Sequence, residues 1–197
     1  MKSFWDKRYG SDEYVYGTEA NDFFTEEINK LKPGYLMEAG AGEGRNAVYA
    51  ARLGWDVVAI DQSQAGMEKT IALAEKAGTE LQFHLLDLEH LDLQENAYDA
   101  IGMIFLHLSP EARKIFHQKL YTLLKPGGTL IMEAFSKDQL KYGTGGPKSP
   151  DKLYTKAMLK EDFQNFSKLR IKQKLRHLKE GGHHDGKASV LQVVAVK

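Results

Sequence analysis

Short apolar runs alternate with amphipathic stretches along the first two thirds of this 197-residue chain. The apolar runs are as long as typical buried strands. They cover residues 35–39, 56–60, 81–86, 98–104 and 129–132. The amphipathic stretches, at 47–53, 64–77 and 110–123, have the spacing of helices. Strands that alternate with helices predict an α/β protein with a largely parallel sheet.

The predicted helix ends carry the residue types expected of caps. Asn21, Ser63 and Ser109 precede helices, and their side-chain oxygens can accept a hydrogen bond from the first turn. Pro110 occupies the first helical position after Ser109, which proline favours. Gly54 closes an earlier helix. These signals divide the chain at the same points as the apolar pattern.

A glycine-rich segment, residues 38–44, joins the first predicted strand to a helix. Its glycines let the backbone turn tightly and approach a ligand closely. A strand, a glycine-rich turn and a helix N-terminus form a cradle for a nucleotide or nucleoside cofactor. Glu38, at the strand end, would repel a pyrophosphate but could bind a cationic amine. S-adenosylmethionine has that amine and no phosphate, so it is the predicted cofactor.

The spacing of the glycines can be interpreted in two frames. Glu38, Gly40, Gly42 and Gly44 fit the pattern acid-x-Gly-x-Gly-x-Gly. A dinucleotide pattern starting at Gly42 also fits, in its looser form ending in alanine. That frame detaches the first glycine from the strand end and is therefore less favoured. A nicotinamide-dependent oxidoreductase remains an alternative, as does a non-catalytic module that only binds S-adenosylmethionine.

Acidic residues also follow the second and third predicted strands. Asp61, followed by Gln62, can accept hydrogen bonds from both ribose hydroxyls, although a nicotinamide enzyme would use the same residue. Asp87 can accept from the exocyclic amine of adenine, while the backbone N–H of Leu88 donates to the ring. Because the carboxyl ends of parallel strands meet at one sheet edge, these groups are expected to face one crevice.

These motifs resemble those of class I S-adenosylmethionine-dependent methyltransferases, in particular small bacterial ones related to the tellurite-resistance methyltransferase. The resemblance extends from about residue 14 to the C-terminus and is carried by residues 38–46, 61–62, 87–88, 105–108, 124–128 and 142–146. It implies a Rossmann-like, doubly wound, seven-stranded, mostly parallel sheet with an antiparallel last strand and helices on both faces. It does not imply a particular substrate.

The cofactor-binding residues are predicted from the motifs and the resemblance together. They are Tyr16, Glu38, Gly40, Ala41, Gly42, Gly44, Asp61, Gln62, Asp87, Leu88 and Phe105.

Composition limits the other possibilities. The length predicts one domain, residues 1–197, with one core. No apolar run is long enough to span a membrane, and the first residues are too polar for a signal peptide. The chain has no cysteine, which excludes a disulfide framework and a zinc–thiolate site. A cytoplasmic location is expected because the cofactor is cytoplasmic.

The net charge is zero but unevenly distributed. Residues 1–98 contain 9 Lys and Arg against 18 Asp and Glu, and residues 99–197 contain 18 against 9. The densest basic run, 168–176, alternates with apolar residues as in a strand. Its basic face could contact nucleic-acid phosphates, but a solvated or charged sheet edge is the favoured interpretation. No nucleic-acid partner is expected.

Three segments are candidates for the reaction chamber. Residues 1–32 combine many aromatic residues with a capped helix, which predicts a flap and helix covering the cofactor site. His107 follows the fourth strand, so it would either lie near the reacting group or have a structural role, bonding a nearby carbonyl. His183 and His184 lie in a turn between the last two strands. Adjacent histidines point to opposite sides of an extended chain, and no metal site is predicted.

The predicted reaction is methyl transfer to a small molecule. The displacement leaves a neutral thioether, so the protein mainly has to align the reacting atoms. A thiolate or a chalcogen oxyanion would need no base, whereas an oxygen or nitrogen nucleophile would need one. His107 and His183 are the predicted catalytic residues, and His184 is a further possible base. A monomer or a homodimer is expected.

Overall fold

The computed structural model describes residues 2–88 and 93–197. Its helices are α1 (Lys2–Tyr9), α2 (Asp22–Ile28), α3 (Arg45–Arg52), α4 (Gln64–Lys76), α5 (Pro110–Leu123) and α6 (Lys156–Asp162). Its strands are β1 (Tyr35–Ala39), β2 (Asp56–Asp61), β3 (Gln82–Leu85), β4 (Tyr98–Ile104), β5 (Leu124–Phe135), β6 (Lys168–Lys179) and β7 (Asp185–Val196). Short 3₁₀ segments lie at Lys137–Lys141 and Pro150–Lys152.

The strands form one sheet, in the order β3-β2-β1-β4-β5-β7-β6. Pairs among β1 to β5 are parallel, and β7 is antiparallel to both of its neighbours. This confirms the predicted seven-stranded sheet with an antiparallel last strand. The chain order reverses at β1, which has β2 on one side and β4 on the other. Loops that follow strands at such a switch point diverge and leave a crevice.

Both faces of the sheet are covered by helices. Successive side chains of a strand point to opposite faces. Leu36 packs in the cluster that includes Phe24 of α2, whereas its neighbour Met37 packs in the cluster that includes Phe116 of α5. All four are almost completely buried. A parallel sheet buried on both faces explains why its strands are nearly continuous apolar runs.

The predicted caps are confirmed at three helices. The side chains of Asn21, Ser63 and Ser109 accept hydrogen bonds from the backbone N–H groups at the starts of α2, α4 and α5. The largest difference in element bounds is at β5, which begins at Leu124 rather than after Gly128. Its pairing with β4 shifts register between Tyr98 and Ala100, which accommodates the proline and glycines of this segment.

The basic run lies in β6, the edge strand beyond β7. Arg170 Nη2 donates to Glu27 of α2 at 2.6 Å, and Arg176 forms ion pairs with Glu133 and Asp22. Part of the basic face therefore pairs with carboxylates of the same molecule. None of the described helices is long and apolar enough to cross a membrane.

Candidate functional site

A cavity of about 810 Å³ lies at the carboxyl ends of the central strands. This volume is within the range of pockets that hold small ligands, about 300–1,000 Å³. Eleven of the predicted site residues contribute to its wall: Tyr16, Gly40, Ala41, Gly42, Asp61, Gln62, Asp87, Leu88, Phe105, His107 and His183. The structure therefore brings together most residues that the sequence placed at separate strand ends. Glu38 and Gly44 are the exceptions.

The glycine-rich loop after β1 forms the floor of the cavity. Gly42 has φ of 58°, in the left-handed region that favours glycine. A Cβ atom at this position would lie 2.8 Å from the hydroxyl oxygen of Tyr9. A side chain here would collide with Tyr9, so glycine allows the loop and α1 to approach each other closely.

Asp61, at the end of β2, ties this floor to the adjacent loop. Its Oδ2 accepts from the backbone N–H of Gly42 at 2.9 Å, and its Oδ1 accepts from that of Ser63 at 3.0 Å. Burial raises the pKa of Asp61, while both amide donors act in the opposite direction. The carboxylate is thus fixed in the cavity wall, where it can accept hydrogen bonds from hydroxyl groups of a ligand.

Glu38 does not reach the cavity wall, contrary to the expectation from sequence. Its side chain is 1% exposed, and Oε1 accepts from Asn46 Nδ2 at 3.1 Å. Oε2 is buried and has no hydrogen-bond partner among the described residues. Burial raises the pKa of Glu38 to about 8, so the carboxyl group is mostly neutral at pH 7. A positive charge beside the unused Oε2 would lower this pKa and restore the carboxylate, so the group fits a cationic cofactor.

Gly44 also has a different position from the one expected. It precedes α3 with φ of 86°, and a Cβ atom on it would lie 2.5 Å from Cγ2 of Thr70 in α4. Gly44 therefore allows α3 to pack closely on α4, and it is not part of the cavity wall.

The N-terminal segment forms one side of the cavity. Trp5 of α1 lines the cavity and stacks on Tyr9 with ring centroids 5.4 Å apart. Tyr16 is held through its backbone: its N–H donates to Glu43 Oε2 at 3.3 Å, and its carbonyl accepts from Arg45 Nη1 at 3.2 Å. Glu43 and Arg45 were not recognised from sequence as functional. Their position inside the glycine-rich motif was the available signal.

Phe105, directly after β4, has an unusual backbone conformation. Its φ of 54° places a non-glycine residue in the left-handed region, at a cost of about 1–3 kcal/mol. The ring packs against Phe135 and His184, at centroid distances of 4.6 and 4.7 Å. Strain of this kind is concentrated at functional sites, and here it accompanies an aromatic wall of the cavity.

His107 lines the cavity, but both of its ring nitrogens are occupied by backbone groups. Nδ1 donates to the carbonyl of Lys152 at 2.8 Å, and Nε2 accepts from the N–H of Phe135 at 3.2 Å. Burial lowers the pKa of His107 to about 4. A histidine with no free nitrogen cannot take a proton from a substrate, so the sequence-based assignment of His107 as catalytic is corrected. It is a structural residue that joins the loop after β4 to β5 and to residue 152.

This environment predicts that folding stability falls in acid. The folded-state pKa of His107 is about 4 and the ordinary value is 6.5, so the unfolded chain binds the proton at higher pH. The contribution is complete above pH 6.5 and is lost as the pH falls towards 4, up to about 3 kcal/mol. Denaturant unfolding of the wild type and of His107→Gln, measured from pH 7.5 to 4.5, checks this. We expect a shallower pH dependence in the variant, and identical slopes would contradict the assignment.

The two histidines of the turn between β6 and β7 differ strongly in solvent exposure. His183 is exposed at the cavity edge, whereas His184 is 6% exposed and also lines the cavity. The ring of His184 lies 4.6 Å from that of Tyr16 and 5.2 Å from that of Phe135. The sequence analysis preferred His183, because nothing in the sequence indicates which of two adjacent histidines is enclosed. In the structure His184 is the enclosed one.

Comparison with known proteins finds similarity to methyltransferases. Residues 36–128 match a family described as a methyltransferase domain. The probable S-adenosyl-L-methionine-dependent methyltransferase TehB of Haemophilus influenzae is 28% identical over 113 residues, covering 56% of this chain and 39% of that protein. The chain thus spans well under two thirds of the length of this relative. The name of this relative gives S-adenosyl-L-methionine as its cofactor, which is the cofactor predicted here from the glycine motif.

Two solved structures share the whole fold. The crystal structure of TehB from Haemophilus influenzae superposes with a TM-score of 0.72 at 20% identity, covering 100% of this chain and 66% of that one. A structure described for the conversion of a disulfide bond into a thioacetal group during echinomycin biosynthesis gives 0.82 at 16% identity, covering 100% and 91%. At these identities the likeness concerns the fold.

Proposed function

We propose that this chain, which has the class I S-adenosylmethionine-dependent methyltransferase fold and resembles TehB, transfers a methyl group to a small-molecule acceptor. The observation that carries the proposal is the cavity floor. It joins a glycine-rich loop, the fixed carboxylate of Asp61 and the buried Glu38 beneath them. When bound, S-adenosylmethionine supplies an electrophilic methyl group with a neutral thioether as leaving group.

The residues of the chain have three tasks in this reaction. Asp61 and Gln62 would hold the ribose, and Asp87 with Leu88 would hold the adenine. The aromatic rings of Tyr16 and Phe105 suit a positively charged sulfonium, which is attracted to ring faces. Alignment of the reacting groups by such a wall can contribute several kcal/mol to the rate.

We further propose that residues 1–32 cover the cofactor. Glu43 of the glycine-rich loop and Arg45 at the start of α3 bind the backbone around Tyr16, and α1 lines the cavity beside Gly42. Residues 1–32 are therefore attached to the loop that forms the floor of the cavity they would cover. A covered cavity excludes water, which strengthens the electrostatic interactions inside it.

The acceptor is proposed to be small, with a thiol or a chalcogen oxyanion as the leading candidates. The cavity is lined by aromatic and aliphatic side chains together with charged and polar ones, and it is bounded by the turn that carries His183 and His184. The structural neighbour connected with disulfide-to-thioacetal conversion is in line with sulfur as an acceptor atom. A monomer or homodimer acting without a nucleic-acid partner remains the prediction.

Calorimetric titration with S-adenosylmethionine, S-adenosylhomocysteine and NADH tests the cofactor. We expect micromolar affinity for both adenosyl compounds and no heat with NADH, because the glycine spacing after Glu38 fits the methyltransferase pattern better than the dinucleotide pattern. Mass spectrometry of mixtures with S-adenosylmethionine and a panel of thiols and chalcogen oxyanions then tests methyl transfer. Binding of NADH alone would overturn the proposal. Binding of the adenosyl compounds without transfer to any acceptor would favour the non-catalytic module.

A further inference from the structure

His184 is enclosed by three aromatic rings and a buried carboxylate. The rings are those of Tyr16, Phe105 and Phe135, at centroid distances of 4.6, 4.7 and 5.2 Å. Its Nδ1 lies 3.7 Å from Oε2 of Glu180, within ion-pair range but too far for a hydrogen bond. The imidazole thus has a charged group at one nitrogen and an apolar wall around its ring.

The other ring nitrogen of His184, Nε2, lies beside a residue that lines the cavity. A Cβ atom on Gly145, which lines the cavity, would lie 3.2 Å from Nε2. Within the described part of the chain, Nε2 forms no hydrogen bond. His107 differs in this respect, since backbone groups occupy both of its nitrogens. His184 therefore has a nitrogen that remains free to accept a proton from a bound molecule.

Glu180 is held in place by other segments of the chain. Its Oε2 accepts from Arg45 Nη2 at 2.7 Å, and its Oε1 accepts from Asn21 Nδ2 at 2.9 Å. Burial alone would raise the pKa of Glu180, but His184 and Arg45 outweigh this effect and hold the pKa at about 2. The group is therefore a carboxylate at all working pH values. Because Arg45 begins α3 directly after the glycine-rich loop, the start of this helix also determines where the carboxylate lies.

The charges around His184 favour the neutral ring at rest and still allow it to accept a proton. Burial lowers the pKa of His184, and Arg45 and His183 lower it further, whereas Glu180 acts in the opposite direction. Tyr16 and His107 also face this region, as uncharged rings. A neutral imidazole beside a fixed carboxylate is the arrangement by which histidine accepts a proton and the resulting imidazolium is stabilised.

We propose that His184, positioned by Glu180, takes the proton of the acceptor, and that the acceptor is the thiol of an apolar or aromatic small molecule. This inference rests on the function proposed above. The S–H bond breaks as its proton passes to Nε2, and the electron pair of the sulfur forms the bond to the methyl carbon. The electron pair of the broken carbon–sulfonium bond stays on the cofactor sulfur, which becomes a neutral thioether. The proton then passes from His184 to solvent.

The proposal distinguishes acceptors by whether they still carry a proton. An ordinary alkyl thiol has a pKa of about 8.5 and is mostly protonated at neutral pH, so it gains from a base. Removal of a general base costs about 10²–10⁴ in rate. An acceptor that is already ionised should not need His184. This separates a catalytic role from a structural one, since structural damage would slow both kinds of acceptor.

The test uses two probe thiols with the 197-residue chain and saturating S-adenosylmethionine. Benzyl mercaptan is mostly protonated at neutral pH, and 4-nitrothiophenol is ionised. We expect His184→Gln to lose about 100-fold in kcat/KM with benzyl mercaptan, while its rate with 4-nitrothiophenol stays close to that of the wild type. His177→Gln, an exposed histidine of β6 outside the cavity, is the matched control and should behave as wild type with both thiols. Equal losses with both thiols, or none with either, would overturn the proposal.

A measurement without turnover tests the role of Glu180. In NMR titrations of the free protein, Glu180→Gln should lower the titration midpoint of the His184 ring, because the charge that favours the imidazolium is removed. The acid limb of kcat/KM for benzyl mercaptan should move to lower pH, and its plateau should fall. An unchanged midpoint would show that Glu180 does not act on His184.

Failure of this inference can be told from failure of the proposed function. If the wild type binds S-adenosylmethionine and methylates only acceptors without a removable proton, the proposed role of His184 is contradicted and the methyltransferase function is supported. If the wild type does not bind S-adenosylmethionine, both the proposed function and the role of His184 are contradicted.

Discussion

Replacement of Asp61 by alanine is expected to reduce the affinity for S-adenosylmethionine about 100-fold or more. The carboxylate accepts from the N–H groups of Gly42 and Ser63, so its loss releases two loops that form the cavity floor. It also removes the proposed acceptor for the ribose hydroxyls. A hydrogen bond to a charged group contributes about 1.5–3 kcal/mol. The loss of two such bonds, from the ribose hydroxyls to Asp61, corresponds to the expected fall in affinity. Calorimetric titration of the variant measures it.

Asp56→Ala is the matched control for this experiment. Asp56 is exposed at the opposite end of the same strand, so its removal should leave cofactor affinity unchanged. Circular dichroism of both variants establishes that each is folded. Wild-type affinity in a folded Asp61→Ala protein would remove Asp61 from the cofactor site.

Replacement of Glu133 by alanine is expected to lower the free energy of unfolding by about 3–5 kcal/mol, the usual cost of breaking a buried charged pair. Glu133 is completely buried in β5. It accepts from Asn21 at 2.7 Å, from Gln192 at 2.7 Å and from Arg176 at 2.9 Å. Alanine would leave these donors without their common acceptor. The melting temperature should fall by about 10 °C, since 1 kcal/mol corresponds to about 2–4 °C at this chain length.

Glu26→Ala provides the comparison for the stability measurement. Glu26 forms an exposed ion pair with Lys30 on the outer side of α2. Exposed pairs contribute at most about 1 kcal/mol, so its loss should barely change the unfolding curve. A similarly small effect for Glu133→Ala in urea unfolding would mean that the buried cluster is not required for stability.

The sequence predicted the part of the site that follows from sheet geometry. Asp61, Gln62, Asp87 and Leu88 were located because each follows a recognisable strand, and the carboxyl ends of parallel strands meet at one edge. The glycine-rich loop was recognised for the same reason. The antiparallel last strand was expected from the family resemblance.

The sequence did not predict contacts between distant segments. Whether His107 has a free nitrogen depends on Lys152 and on Phe135. The difference between His183 and His184 depends on Glu180 and on the N-terminal segment around Tyr16. The orientation of Glu38 depends on Asn46 in the following helix. Such contacts follow from how elements pack, and neither spacing nor composition specifies that packing.

The positions of the two tryptophans give the protein an intrinsic optical reporter. Trp5 forms part of the cavity wall and stacks on Tyr9. Trp55 is buried just before β2, at the amino ends of the strands and therefore at the opposite edge of the sheet. One indole thus senses the ligand site, and the other supplies a constant background. Cofactor occupancy can accordingly be followed by intrinsic fluorescence, with no dye attached.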